Sequence, residues 1–352
     1  MMGTDLLFHE TFTRHVISPG HPERPERLST AIRYISNSGL LEAGKVNVVE
    51  PQKAQLDDIM PLHSEAYLQG IRRKSEMGGG FFTLDTAVNQ FSYDAAVLAA
   101  GAGVMAADRI MEGKSDNAYV LCRPPGHHAE YERAFGFCFI NNIAVSAQRL
   151  IKKHDLDRVL IVDYDAHHGN GTQNAFYSSN QVLYVGLHQD GRTLFPGSGF
   201  PNEIGSGKGK GYNVNLAMYP GAGDLSFDLA FSEIIERIGE QFEPEFILVS
   251  AGFDGHFQDP LTNLGLTTSG IAMLNSRLNT LAMQYCDGRI AFFLEGGYDL
   301  DTVGRGSLNI VEELSGSQTT KYGDMHRESE NCIEYTRALI KKLIDILDGT
   351  LF

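Results

Sequence analysis

Short, continuous apolar runs recur along this chain. Ala118–Cys122, Val159–Val162, Val182–Leu187, Phe246–Ser250 and Ile290–Leu294 are each bounded by polar residues. That is the pattern of a strand buried on both faces of a parallel sheet. Asp5–His9 and Asn47–Glu50 are shorter candidates, the first suited to a sheet edge, and Asn213–Leu216 adds another. Between several of these runs the apolar spacing turns helical, over Asn142–Lys153, Ser226–Gln241 and Ser269–Cys286. The same spacing predicts a helix from about Glu26, another over Ser64–Met77, an Ala- and Gly-rich one over Tyr93–Met111, and a peripheral one over Arg327–Leu347. Gly78-Gly79-Gly80 breaks the chain, and Phe81–Gln90 reads as a short loop. Ser18–Arg27, with its prolines and charges, reads as a rigid surface loop. Strands alternating with helices imply an α/β fold with a mostly parallel sheet. With no internal repeat and no linker-like break, the chain reads as one domain over 1–352.

The residues that follow the strands carry the chemistry. Cys122 leads into RPPGHHAE, Val162 into Asp163, Asp165, His167 and His168, and Leu187 into His188 and then LFPGSG. Ser250 leads into AGFDGHFQDP, with Asp254 and Asp259, and Leu294 into EGGYD, with Tyr298. Ligands bind beyond the carboxyl ends of the strands in open parallel sheets, so five such clusters point to one site.

Composition narrows the class. Apolar residues at 42% and charged residues at 21% fit a soluble globular protein. A net charge of −15 argues against nucleic acid and would draw cationic substrates. The four cysteines show no CxxC spacing, and Cys122 and Cys138 sit in apolar surroundings. No apolar run approaches the roughly 18 residues of a membrane span. The N-terminus lacks the features of a signal peptide, so a cytoplasmic protein is expected.

Along an extended segment Asp163, Asp165 and His167 point the same way, and two carboxylates with an imidazole suit a metal. Turn chemistry would explain the Gly and Asn nearby but not the adjacent histidines. A catalytic zinc site needs a third protein ligand, and Asp259, fixed by Pro260, is the best candidate, although Asp-Pro alone is an ordinary turn. His127-His128 offers a general base beside a metal-activated water. Tyr298 follows two glycines and can offer a hydrogen bond to an oxyanion, where the plainer reading is a surface tyrosine on a turn.

These stretches resemble the zinc-dependent histone deacetylase/acetylpolyamine amidohydrolase superfamily, on its class II-like side. The matching segments are HPERPERL at 21–28, RPPGHHA at 123–129, GFCFINN at 136–142, VDYDAHHGNGTQ at 162–173, LFPGSG at 194–199, SAGFD with QDP within 250–260, and LEGGYDL at 294–300. The resemblance implies the arginase/deacetylase fold, with a central eight-stranded parallel sheet. It implies Asp165, His167 and Asp259 as zinc ligands, His128 as principal base and acid, and His127 as its electrostatic partner held by Asp163. It makes Tyr298 the group that polarises the amide carbonyl. Gly136, Phe137, Phe195, Leu261 and Gly297 would line the channel for the acyl-lysine stem. It also implies potassium at one site formed largely by backbone oxygens of Asp163, Asp165 and His167, and at a second formed by those of Phe176, Ser179, Val182 and Tyr212.

Two positions depart from the wider pattern. Asn170 stands where class I members carry an aspartate, so His128 should be a weaker base, though class II-like members share the Asn. Gly186 replaces a serine that some members offer to potassium.

The expected reaction is removal of an acyl group, acetyl above all, from a lysine side chain or a similar small linear amide. The substrate is then an acylated lysine on a protein or a small-molecule amide, with no nucleic-acid or membrane partner. An acetylpolyamine amidohydrolase would place a carboxylate where Leu261 stands, and the Gly78–Gln90 connection is too short for that group's long dimerisation loop. An arginase-like ureohydrolase would hold two manganese ions, and here His168-Gly169 replaces the aspartate a second metal needs. A non-catalytic sensor of acyl-lysine would lack His128 or Tyr298, and both are present.

Overall fold

The computed structural model describes residues 3–318, 320 and 323–350. In chain order its strands are β1 (Thr4–Leu7), β2 (Val46–Val49), the short β3 (Gly79–Phe81) and β4 (Ala87–Asn89), β5 (Asn117–Val120), β6 (Val159–Asp163), β7 (Val182–Gln189), β8 (Asn213–Met218), β9 (Phe246–Ala251) and β10 (Ile290–Leu294). Eight of them form one sheet in the order β2-β1-β5-β10-β9-β6-β7-β8, every neighbouring pair parallel. All eight predicted runs are strands of this sheet. Seven are buried along their whole length, which is why their sequences are continuously apolar rather than alternating.

Two expectations need correction. β1 is not an edge strand. It lies between β2 and β5, fully buried, and the edge is β2, whose Asn47 and Val48 face solvent. Both strands are short, and strand order depends on partners far away in the chain, so neither position was readable locally. Phe81–Gln90 is not simply a loop. β3 and β4 pair antiparallel, Gly79 opposite Asn89 and Phe81 opposite Ala87. Strands of this length carry no measurable period.

Helices cover both faces. Asn142–His154 starts where the Asn141 side chain accepts from Ala144 N at 3.0 Å and ends at Asp155 in the left-handed region. The Ser226–Gln241 prediction is met by Asp224–Ala230 and Glu236–Phe242, joined through a wider π turn at Phe231–Ile235. Glu330–Leu347 packs outside β8, at the periphery as expected. Leu300–Leu314 is a further helix, capped by Asp299, whose carboxylate accepts from Thr302 N at 2.8 Å. It packs between Glu26–Asn37 and Thr268–Tyr285 and so fixes the end of the Gly-Gly-Tyr turn. No helix among the described residues is long and apolar enough to cross a membrane.

Candidate metal centre and acyl-amide site

β5, β6, β9 and β10 lie side by side, so the segments that leave their carboxyl ends converge. β6 delivers Asp165, His167 and the Gly169–Asn170 turn, β9 delivers Asp254 and Asp259, β10 delivers Glu295 to Tyr298, and the segment after β5 delivers His127 and His128.

Asp165, His167 and Asp254 offer ligand atoms that all lie within 4.8 Å of one another. The Nδ1 of His167 is 2.9 Å from Asp254 Oδ2 and 3.1 Å from Asp165 Oδ1. Asp254 Oδ1 accepts from Ala166 N at 2.9 Å. Asp165 Oδ2 accepts from Gly296 N at 2.7 Å. A side chain at Gly296 would strike both Asp165 and Asp254, so only glycine admits the backbone there. Asp259 stands next to this group, its oxygens accepting from Leu261 N at 2.9 Å and Tyr298 N at 2.8 Å. Sequence reasoning placed Asp254 in the right loop but did not include it among the metal groups. Two aspartates five residues apart in one loop do not announce which of them joins the Asp165–His167 cluster.

The donor set fits a divalent cation. Asp165, Asp254 and Asp259 are all buried, and the ion pairs of the first two are with histidines alone, while Asp259 has none among the described residues. Burial, with Asp254 beside it, raises Asp259 to about 7. Burial works against a charge on His167, but Asp165 and Asp254 outweigh it and raise it to about 10. Such an excess of buried negative charge is what a metal ion relieves, by displacing the protons these groups would otherwise hold.

Beside it the two histidines differ in charge state. His127 Nδ1 lies 3.1 Å from Asp163 Oδ2, which also accepts from the Tyr184 hydroxyl at 3.3 Å. Burial opposes a proton on His127, but Asp163, Asp165 and Glu295 outweigh it and lift its pKa to about 10. The His128 ring packs against it tilted by 44°, with centroids 4.1 Å apart. Burial, then the charges of His127 and His167, hold His128 well below its ordinary value. Its Nδ1 is 2.7 Å from Asn170 Oδ1, so Nδ1 carries the proton and Nε2 is the lone-pair nitrogen.

The residues expected to line a channel sit around these rings. Phe195, about two-fifths exposed at 38%, meets His128 at 5.2 Å and His167 at 6.3 Å between centroids. Phe137 meets the Tyr298 ring at 6.0 Å. Gly136 has φ +52°, and a Cβ there would collide with the His128 ring. Leu261 is exposed to the same extent as Phe195. Phe135, which sequence reasoning did not single out, packs on Phe195 at 4.5 Å and on His128 at 6.3 Å. Tyr298 is nearly buried, and burial followed by Asp254 raises its hydroxyl pKa, so it remains a donor.

The loop read as a rigid surface segment is corrected: Glu23 and Arg27 are buried, with Arg123. Glu23 accepts from Arg123 Nη2 at 2.7 Å and from Arg27 Nη1 at 3.1 Å. Arg27 donates from Nε to Gly297 O at 2.6 Å and from Nη2 to Glu295 O at 2.5 Å. The charges lie inside because they hold the turn that presents Tyr298. Glu295 in turn accepts from the backbone of Gly126 at 2.7 Å and His127 at 3.2 Å.

Comparison with known proteins gives a consistent match. The histone deacetylase domain family model matches residues 21–314. A probable deacetylase of Archaeoglobus fulgidus is 40% identical over 94% of this chain and 90% of its own length. A histone deacetylase-like amidohydrolase of Pseudomonas aeruginosa is 36% identical over 84% of this chain and 77% of its own. The crystal structure of the HDA15 HD domain superposes with a TM-score of 0.90 and 32% identity, covering 99% of this chain and 95% of that one.

Proposed function

The chain belongs to the histone deacetylase family and is a deacetylase, and we propose that it hydrolyses acylated lysine side chains or similar small linear amides with one zinc ion held by Asp165, His167 and Asp259. The carrying observation is the histidine pair: His128, kept uncharged with Nδ1 turned to Asn170, stands between the acidic cluster and the aromatic rings of Phe135 and Phe195. In this reading Asp254, whose Oδ2 lies 2.9 Å from His167 Nδ1, fixes the imidazole beside Asp165.

A zinc ion bound there supplies Lewis-acid polarisation of the acyl carbonyl and lowers the pKa of the attacking water. His128 Nε2 takes a proton from that water and later delivers it to the leaving amine, so the amide C–N bond breaks as the new C–O bond remains. His127, charged by its carboxylate neighbours, keeps His128 from protonating too early. The Tyr298 hydroxyl donates to the oxyanion of the tetrahedral intermediate. Phe137 and Phe195 exclude water from the stem of the substrate and orient it.

The absence of a charge at Leu261 and the short β3–β4 hairpin favour acyl-lysine over an acylpolyamine. The family resemblance extends the proposal to potassium at the backbone oxygens of Asp163, Asp165 and His167 and of Phe176, Ser179, Val182 and Tyr212. A cytoplasmic setting accords with four free, buried cysteines. The test is kcat/KM for the zinc-loaded protein on acetyl-lysine peptides and on N-acetylputrescine and N8-acetylspermidine. The peptide should win, and a preference of more than about tenfold for the polyamine overturns the substrate reading.

A further inference from the structure

Glu130 ends the RPPGHHAE run, two residues beyond His128. Its backbone is pinned: Glu130 N donates to Arg133 O at 2.9 Å, and Glu130 O accepts from His63 Nδ1 at 2.9 Å. Its side-chain Oε1 accepts from Asn170 Nδ2 and from Asn174 Nδ2, each at 2.9 Å. Asn170 then faces His128 Nδ1 with Oδ1 at 2.7 Å. An amide has one end that only donates and one that only accepts, whereas an ionised carboxylate only accepts. Glu130 therefore admits only the Nδ2 end of Asn170 and turns Oδ1 toward His128. The flipped amide would set Oδ1 against a carboxylate and Nδ2 against His128 Nδ1. The imidazole would then carry its proton on Nε2, the nitrogen that has to receive one.

We propose that Glu130 is a positioning residue that locks the sense of the Asn170 amide and, through it, the Nδ1–H tautomer of His128. The other acceptor near Asn170 Nδ2, His128 O, is 3.5 Å away, too long to hold the amide by itself. Glu130 is half-exposed and lines a cleft of about 190 Å³ with Tyr131 and Asn174, so solvent screens its charge. Its action is directional, set by which end of the amide it accepts. Amide and carboxylate together do what a single aspartate would do at position 170: one supplies the contact, the other its polarity. The inference rests on His128 as the general base of the deacetylase reading.

The test is a four-protein cycle: wild type, Glu130→Gln, Asn170→Asp and the double variant, all zinc-loaded. Two readouts are taken, kcat and KM on an acetyl-lysine peptide, and the ¹⁵N histidine spectrum that reports the His128 tautomer. Glutamine offers both a donor and an acceptor end, so Glu130→Gln frees the amide. It should lower kcat by about tenfold, a part of the roughly 10²–10⁴ that a correctly protonated base supplies, with KM little changed. The spectrum should show both tautomers. Asn170→Asp has no wrong end to present and places a carboxylate against Glu130. Adding Glu130→Gln to it should therefore raise kcat, so the effect of one substitution changes sign with its neighbour. That comparison holds even where Glu130→Gln alone folds poorly. Wild-type kcat with a single Nδ1–H tautomer in Glu130→Gln overturns the inference, as does a double variant slower than Asn170→Asp. A wild-type protein inactive on every acyl amide, with His128 still Nδ1–H and mixed only in Glu130→Gln, overturns the deacetylase reading and leaves the amide lock standing.

Discussion

Replacing Glu23 by glutamine keeps the shape of the side chain and removes one charge from an enclosed ion cluster. Glu23 is 1% exposed, and Arg27 and Arg123 are fully buried. Glu23 accepts from both guanidiniums, and His15 Nε2 lies 3.6 Å away. Burial works against the carboxylate charge, but Arg123 and Arg27 outweigh it and hold its pKa at about 2, against an ordinary 4.5. That displacement corresponds to about 3 kcal/mol of stability at neutral pH. Breaking a buried pair by removing one partner costs about 3–5 kcal/mol, so two independent routes agree. In Glu23→Gln two buried guanidiniums lose their anion, and the new NH₂ group points a donor at donors.

The pH dependence separates charge from packing. The folded-state pKa lies below the unfolded one, so the contribution is full above pH 4.5 and is lost as pH falls toward about 2. The stability gap between wild type and Glu23→Gln should therefore narrow by about 1 kcal/mol between neutral pH and about pH 3.5. Arg27 also holds Gly297 O and Glu295 O, so its release loosens the turn that carries Tyr298. Turnover should fall by about 10–100-fold with KM nearly unchanged. Urea unfolding at both pH values and steady-state kinetics at neutral pH measure all three. A neutral-pH deficit under about 1 kcal/mol, or one that stays constant with pH, would refute the charge argument.

Three further outcomes follow from the site and the core. Asp259→Asn should nearly abolish zinc binding and hydrolysis, whereas Asp254→Asn, acting through His167, should weaken zinc by about 10–100-fold; chelator competition giving the reverse order would move Asp254 into the ligand set. Tyr298→Phe should cost roughly 10²–10³ in kcat while zinc stays stoichiometric, and full activity would remove the hydroxyl from the mechanism. Burial holds His15 at about 3 and both His63 and His188 at about 4, below 6.5. The unfolded chain binds these three protons first, so the stability they contribute is full above pH 6.5 and falls below it. His63 shows why: Nδ1 donates to Glu130 O and Nε2 accepts from Asn141 N, and a second proton would meet that N–H. A urea midpoint that is flat from about pH 7 to about pH 5 would contradict this.

The site was legible for a topological reason. A parallel sheet brings all its strand carboxyl ends to one edge whatever the strand order, so Asp165, His167, His128 and Tyr298 could be grouped without knowing that β10 sits between β5 and β9. Strand order itself, including the interior place of β1, rests on long-range pairing that leaves no local mark. The helix Leu300–Leu314 escaped because Gly304 and Gly306 weaken its helical signal. They are there for packing, since side chains at those positions would strike the rings of Tyr34 and Phe253. The supporting polar residues are harder still. Glu23 and Arg123 are 100 positions apart, and Arg27 and Gly297 are 270 apart. Glu23 and Arg27 belong to a stretch whose composition is that of a solvated loop, and only the closure of the chain shows that the charge is inside. Reacting groups must gather where strands end, and so can be read one strand at a time. The groups that aim them are defined only in pairs, and in a sheet with this much crossover the pairs are distant.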